Sequence, residues 1–322
     1  MRISKERTIA ELQTATMGWD TASQKALEVD QLLMGLEMSG SDEALLRYLD
    51  FFSDIVPIKA GYFLHVIPPF DLLTNLYRSE VLPLSGVSIF RETLVNRMGG
   101  EISRFLTAGR MSNVQYQVSE GSPLEELLTA SESQEPDLVV IGQKRFVNSH
   151  GILAKNFARK VDSNALVVPE QSRRSLSTIV VPVDFSAHSA RALQTAVELR
   201  KCVDYPVRVI AVNVYEMPNV SAYMLSKTED EFRKMVEQDR MVAFEAFLAT
   251  QLEADQDLVE QKLIEKDRPG VAHYLMDFAL EEGADFIVMG AKGHSKLERL
   301  LLGSVTENFL ARNKQFPTLI VK

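Results

Sequence analysis

The chain has 322 residues, an apolar fraction of 46%, a charged fraction of 25% and a net charge of −9. That length allows two domains of ordinary size, and the acidic balance argues against binding nucleic acid through a basic surface. The single cysteine, Cys202, excludes an intrachain disulfide, no apolar run reaches the roughly 18 residues of a membrane span, and MRISKERTIAELQTA lacks the apolar core of a signal peptide. The expected location is the cytoplasm, with neither nucleic acid nor membrane as partner.

Residues 1–30 carry helical spacing without a later counterpart and read as an N-terminal helical extension. Residues 31–169 and 178–322 then repeat one another at an offset near 148. Leu36-Glu-Met-Ser39 matches Val183-Asp-Phe-Ser186, and Phe63-Leu-His-Val-Ile67 matches Ala211-Val-Asn-Val-Tyr215. Asp137-Leu-Val-Val-Ile-Gly142 matches Asp285-Phe-Ile-Val-Met-Gly290, and Leu166-Val-Val-Pro169 matches Leu319-Ile-Val-Lys322. A period this long means duplicated domains, not a solenoid. Between them, Glu170–Ser177 is polar and without hydrophobic periodicity, so 170–177 is a linker. The apolar stretch from Phe70 to Val87 is a partner surface, a lid or buried core; the residues alone do not choose.

Within 178–322 the elements alternate. Thr178–Val183 is a strand, and Ser186 can cap a helix from about Ala187 to Lys201. Val207–Val214 is the next strand, 228–254 a long charged amphipathic helix, and Leu258–Glu265 a strand. Pro269–Gly283 is a helix ending at glycine, followed by strand Phe286–Met289, a helix from about Ser304 and strand Thr318–Val321. Apolar strands separated by helices give an α/β fold with a parallel, doubly wound sheet. Ligands of such sheets bind beyond the carboxyl ends of the strands, where the strand order reverses. Asp184, Asn213, Val214 and Gly290 all fall at such ends.

The most telling stretch is Gly290-Ala-Lys-Gly293, nine residues, then Gly303-Ser304. It links an apolar strand to a helix. Glycines there allow backbone N–H groups to approach a ligand, and the helix start adds unpaired N–H groups and its positive dipole end, an anion site. The Ser304 and Thr306 hydroxyls can add donors. The competing reading is a tight turn and nothing more.

These residues resemble the universal stress protein family. The resemblance rests on Val183-Asp184-Phe185-Ser186, on Asn213-Val214, and on the G-x2-G-x9-G-S run at Gly290, Gly293, Gly303 and Ser304, with matching element order across 178–322. It implies two tandem Rossmann-like domains of the adenine nucleotide alpha hydrolase type. Each would be a five-stranded parallel sheet of order 3-2-1-4-5 with helices on both faces. It also implies an adenine nucleotide in the crevice (ATP, with ADP or AMP as alternatives, and magnesium) and antiparallel pairing of Leu166–Val168 with Leu319–Val321. One tandem chain would thus imitate a dimer, and a further homodimer stays open.

Carried over, Pro182, Val183, Asp184, Phe185 and Ser186 would meet the nucleoside end, and the backbone of Asn213 and Val214 the adenine edge. Met289, Gly290, Ala291, Gly293, His294, Gly303, Ser304, Val305 and Thr306 would surround ribose and phosphates. Asp184 has a rival role as a helix cap, Val214 as core, and His294, Lys292 and Lys296 as solvated surface.

The first half departs from that pattern. Gly142-Gln-Lys-Arg145 puts arginine at the second glycine, the interval to Gly151 is four residues shorter, Ile152 stands for Ser304, and Glu37 stands for Asp184. Residues 31–169 are expected to keep the fold and lose ATP, with Lys144 and Arg145 left to attract some other anion. No P-loop, metal spacing or nucleophile triad is evident, so the chain reads as an ATP-binding stress-response regulator rather than a metabolic enzyme. The alternatives are a nucleotide-independent scaffold, or slow ATP hydrolysis or autophosphorylation on Ser304 or Thr306.

Overall fold

The computed structural model describes residues 27–67, 84–144, 148–218, 228–293 and 302–322. The expected helix ahead of residue 27 and the stretch from Phe70 to Pro83 lie outside them. The first half runs β1 (Val29–Leu36), α1 (Asp42–Ile55), β2 (Ile58–Ile67), α2 (Leu84–Phe105), β3 (Asn113–Glu120), α3 (Pro123–Gln134), β4 (Leu138–Gln143), α4 (Asn148–Lys160) and β5 (Asn164–Pro169). The second half runs β6 (Thr178–Pro182), α5 (Ala187–Lys201), β7 (Arg208–Glu216), α6 (Glu229–Leu252), β8 (Val259–Lys266), α7 (Ala272–Glu281), β9 (Phe286–Gly290), α8 (Ser304–Arg312) and β10 (Thr318–Val321). Val29 and Asp30, assigned above to the extension, therefore open β1: the N–H groups of Asp30 and Gln31 both donate to Asp137 Oδ2 at 2.9 Å.

Local chemistry explains these boundaries. Along α1, Leu45, Leu49 and Phe52 recur on one buried face at helical spacing. Thr228 and Glu231 form a reciprocal capping box that starts α6. The helix expected from Pro269 starts at Ala272, because Gly270 takes φ +89 and cannot be its first turn. It ends as expected at Gly283 (φ +61), where Gly283 N donates to Leu280 O and Ala284 N to Ala279 O. Interior strands such as β4 are apolar on both faces, whereas edge strand β3 (NVQYQVSE) alternates with solvent.

All ten strands make one sheet of order β3-β2-β1-β4-β5-β10-β9-β6-β7-β8. Each half thus has the order 3-2-1-4-5 and is parallel inside. The joint is antiparallel, with Thr318 opposite Val167, Leu319 opposite Leu166 and Ile320 opposite Ala165. The carboxyl ends of the two sets of strands consequently face opposite ends of the sheet.

That joint lets the halves share a core. On one face α1 packs toward β9, with the Phe52 and Phe286 rings stacked at 6.2 Å and 13°. On the other face Leu302 and Leu310 of the second half join Leu127, Ile141, Ala154 and Phe157 of the first. Burying large side chains across the joint, at roughly 1.5–3 kcal/mol each, ties the halves far more firmly than three strand pairs would. The linker is also tethered. Ser175 and Ser177 hydroxyls and the Ser177 N–H donate to Asp285, which does for β6 what Asp137 does for β1.

Candidate functional site

At the carboxyl ends of β6, β7 and β9 lies a crevice of about 290 Å³. Pro182, Val183, Asp184, Asn213, Val214, Met289, Gly290, Gly293, Gly303, Ser304, Val305 and Thr306 line it. The reversal of strand order between β6 and β9 opens this space, and the segments after those strands deliver the polar groups to it.

The acid turn comes first. Asp184 Oδ1 accepts from Ser186 N at 3.1 Å, an Asx turn that bends the chain between β6 and α5. Phe185 sits in the left-handed region at φ 64, and Met38 occupies the equivalent place in the first half at φ 57. Such backbone costs roughly 1–3 kcal/mol and persists only where packing holds it. Here the Phe185 ring lies edge-on to Phe244 and Phe247 at 5.5 and 5.4 Å. Phe185, expected at the nucleoside, therefore points into the core instead. Ser186 is likewise withdrawn: its hydroxyl caps α5 by accepting from Ser189 N at 3.2 Å.

The glycine loop is built differently from the sequence argument. A Cβ on Gly290 would stand 2.7 Å from the backbone carbon and oxygen of His188, so Gly290 lets the start of α5 press against β9. A Cβ on Gly293 would collide with Asp184 Oδ2. Of the three glycines of this run, Gly290 and Gly293 are the two on which a Cβ would meet a neighbour closer than 3.0 Å; Gly303, the N-cap of α8, has ordinary φ −63 and ψ 149. Gly303 N donates to Ala291 O and Ala291 N to Val321 O, both at 2.7 Å, which pins the loop to the sheet. Ala291, expected at the ribose and phosphates, is buried in the shared core. His294 and Lys296 lie outside the described residues.

The α8 start leaves the Ser304, Val305 and Thr306 N–H groups without intrahelical acceptors, because the first such bond is Glu307 N to Gly303 O. The Thr306 hydroxyl, expected as a ligand donor, is spent: Oγ1 donates to Gly290 O at 3.0 Å and the residue is buried. Ser304 is exposed. On the opposite wall Asn213 Nδ2 donates to Val183 O at 2.8 Å, which leaves Oδ1 buried and unpartnered. Ser189, Val212, Val271 and Leu275 also line the crevice and were missed, and Lys292, weighed above against a solvated surface role, lines it as well. The apolar i, i+4 pair Val271 and Leu275 was visible as a core stripe, but no local signal says which part of a stripe meets a cavity.

Charges gather around the loop. Burial lowers the His188 pKa, the Arg191 and Lys292 cations lower it further, and Asp184 opposes them. Arg191 Nη2 donates to His188 Nδ1 at 2.9 Å. Lys322, at the end of β10, is pushed down to about 8, by burial first and also by Lys292, and its Nζ donates to Ala158 O of α4. Among the described residues, no group of three or more His, Cys, Asp or Glu stands ready for a metal, and no helix is long and apolar enough to cross a membrane.

The first half has its own crevice, also of about 290 Å³, at the opposite end of the sheet. Its phosphate end is altered. Lys144 pairs with Glu37, and α4 begins at Asn148, so Gly151 and Ile152 lie inside a helix rather than at its start. Arg145 lies outside the described residues.

A family model described as the universal stress protein family matches residues 176–322. A universal stress protein of Methanocaldococcus jannaschii is 32% identical over 145 residues, spanning 45% of this chain and 81% of that protein. One of Bacillus subtilis is 28% identical over 149 residues, spanning 45% of this chain and 97% of its own. The solved structure of a universal stress protein from Archaeoglobus fulgidus superposes with a TM-score of 0.58 at 18% identity, over 91% of this chain and 96% of that one. A functionally unknown protein from Pseudomonas aeruginosa gives 0.56 at 14% identity, over 91% and 92%. At such identities the two structures speak for the fold, and they do so across both halves.

Proposed function

The chain belongs to the universal stress protein family, and on that premise we propose that its second half is a receptor for an adenine nucleotide. ATP is the expected ligand, with ADP and AMP as the other candidates. The observation that carries this reading is the division of the second-half crevice into two ends. At one end the free N–H groups of Ser304, Val305 and Thr306 meet the Gly293 loop, a fit for phosphate. At the other, Val183, Val212, Val214, Val271 and Leu275 make an apolar slot for a flat base. The orphaned Asn213 Oδ1 beside that slot is an acceptor suited to an amino group, and Asp184 is an acceptor suited to ribose hydroxyls.

Among the described lining residues, Ser304 adds a side-chain hydroxyl able to donate, and Lys292 adds positive charge at the same end. The first half keeps the fold without this function in this reading, because Lys144 is held by Glu37 and α4 starts at Asn148, so that Gly151 lies inside the helix. Magnesium would arrive with the triphosphate and be held mainly by its oxygens. The bound nucleotide acts as a ligand that favours one state of the protein rather than as a substrate.

Thermal unfolding tests this reading. ATP at about 100-fold above its dissociation constant should add roughly 2.7 kcal/mol of stability, a shift of several degrees. No shift with ATP, ADP or AMP would contradict it and favour a nucleotide-independent scaffold. Several turnovers per minute to a defined product would contradict it in favour of an enzyme.

A further inference from the structure

The first-half crevice has lost the features of a phosphate site yet has not closed. Its volume of about 290 Å³ equals that of its counterpart and approaches the lower end of ligand pockets, roughly 300 Å³. A duplicated domain that had become pure scaffold would be expected to fill such a space, since unfilled apolar volume destabilises. The walls here are Leu36, Leu45, Leu64, Leu127, Ile141 and Val168.

Gln143 and His65 stand among them, and Gln143 is settled as an acceptor. Gln143, 8% exposed, donates Nε2 to Leu310 O at 3.1 Å. A carbonyl can only accept, so the amide orientation is fixed and the remaining atom is the carbonyl Oε1. That Oε1 is buried and has no partner. His65, 9% exposed, has Nδ1 2.9 Å from Leu36 O. The same logic makes Nδ1 the donor of that bond. The second-half crevice sets the N–H groups at the start of α8 beside its acceptors, whereas this crevice presents the orphaned Gln143 Oε1. Of its charged side chains, Lys144 and Glu37 are paired with each other, the Asp42 carboxylate accepts from the Glu37 and Ser39 N–H groups, and Glu170 is exposed.

We propose that the first-half crevice binds a small, uncharged, mainly apolar molecule that carries an N–H or O–H donor, which it gives to Gln143 Oε1. An anion is disfavoured because, among the described lining residues, Glu37, Asp42 and Glu170 stand against the single cation Lys144, which Glu37 already holds. A donor-free hydrocarbon is disfavoured because it would leave Oε1 buried and unsatisfied. This inference does not depend on a nucleotide in the second half. Gln143 connects the two regions nonetheless, since its other hydrogen bond holds the carboxyl end of α8, whose amino end lines the second-half crevice.

Methyl-labelled full-length chain, titrated with indole and with 2-naphthol, tests it by NMR. Their donor-free counterparts, benzothiophene and 2-fluoronaphthalene, serve as the comparison. The proposal predicts saturable shifts at the Leu36, Leu64, Leu127 and Ile141 methyls, with the donor-bearing member of each pair bound roughly fivefold more tightly. Gln143→Met should bring the members of each pair to within about twofold of each other. The wild-type comparison stands even if that variant misfolds. Absence of saturable shifts, shifts confined to the Val212 and Leu275 methyls, or equal affinity within each pair would overturn the proposal. Repeating the titration with saturating ATP reads the second-half crevice through its own methyls, so failure at one crevice is distinguishable from failure at the other.

Discussion

Gly293 lies against Asp184 so closely that a Cβ on the glycine would collide with the carboxylate Oδ2. The colliding atom is the end of a side chain that can swing aside. Gly293→Ala should therefore leave the melting temperature nearly unchanged while displacing Asp184 and weakening ATP by roughly tenfold or more, about 1.4 kcal/mol. Gly293→Arg, which copies the first half, should abolish binding in a folded chain. Gly290 contrasts with it, because its neighbours are the backbone atoms of His188. Gly290→Ala should destabilise the fold itself by roughly 1–3 kcal/mol, as overpacking does. Calorimetric titration beside thermal unfolding separates the two glycines.

The two hydroxyls at the start of α8 should also part company. Thr306 spends its proton on Gly290 O. Thr306→Val should cost stability by about 1 kcal/mol. Ser304→Ala should leave stability alone and weaken ATP by roughly 1.5–3 kcal/mol, the worth of a hydrogen bond to a charged group. If Ser304→Ala binds ATP like the wild type, its hydroxyl does not meet the phosphates.

His188 should report occupancy of the second-half crevice. Burial, then the Arg191 and Lys292 cations, hold its pKa below the ordinary value of about 6.5. The folded state therefore binds this proton less readily than the unfolded chain, and the residue's contribution to stability falls as pH drops through 6.5. A polyphosphate beside Lys292 would offset the cations and raise the pKa. A titration of the His188 ring signals should give a lower value without ATP than with it; an unmoved or lowered value would place the anion elsewhere.

Asp285 sets an acid limit on the fold. Burial works against its carboxylate, but hydrogen bonds from Ser175, Ser177 and the backbone of Ser177 and Thr178 outweigh it and hold the pKa below the usual carboxylate value. With the folded pKa depressed, the stabilisation is complete above pH about 4 and is lost as pH falls through the folded value. Asp285→Asn should cost roughly 1–3 kcal/mol at pH 7. The gap to wild type should narrow in acid denaturation, and a gap that stays constant with pH would contradict the role.

Much of the fold was legible because local signals agreed with the tertiary pattern. Ser186 announces α5, observed from Ala187 to Lys201, and the apolar run at Phe286 announces β9. For the candidate site, the sequence located the segments that line the crevice. What remained hidden was which way each side chain turns. Phe185 looks like a site residue between Asp184 and Ser186, but a left-handed backbone turns its ring to Phe244 and Phe247. Thr306 sits beside Ser304, yet helical rotation aims it at Gly290 O. Gly290 reads as an approach for a ligand, while its tightest neighbour is His188. Such distinctions depend on contacts between residues far apart in the chain, and Val271 and Leu275 meet the crevice through packing of the same long-range kind.

The central claim is that one half of a duplicated chain holds nucleotide. Isothermal titration with ATP, read together with methyl shifts in the two crevices, tests it most directly. The account predicts a single ATP per chain, shifts at the Val183, Val212 and Leu275 methyls, and no binding by Gly293→Arg. Two nucleotides per chain, or one that perturbs the Leu36 and Ile141 methyls and persists in Gly293→Arg, would contradict it.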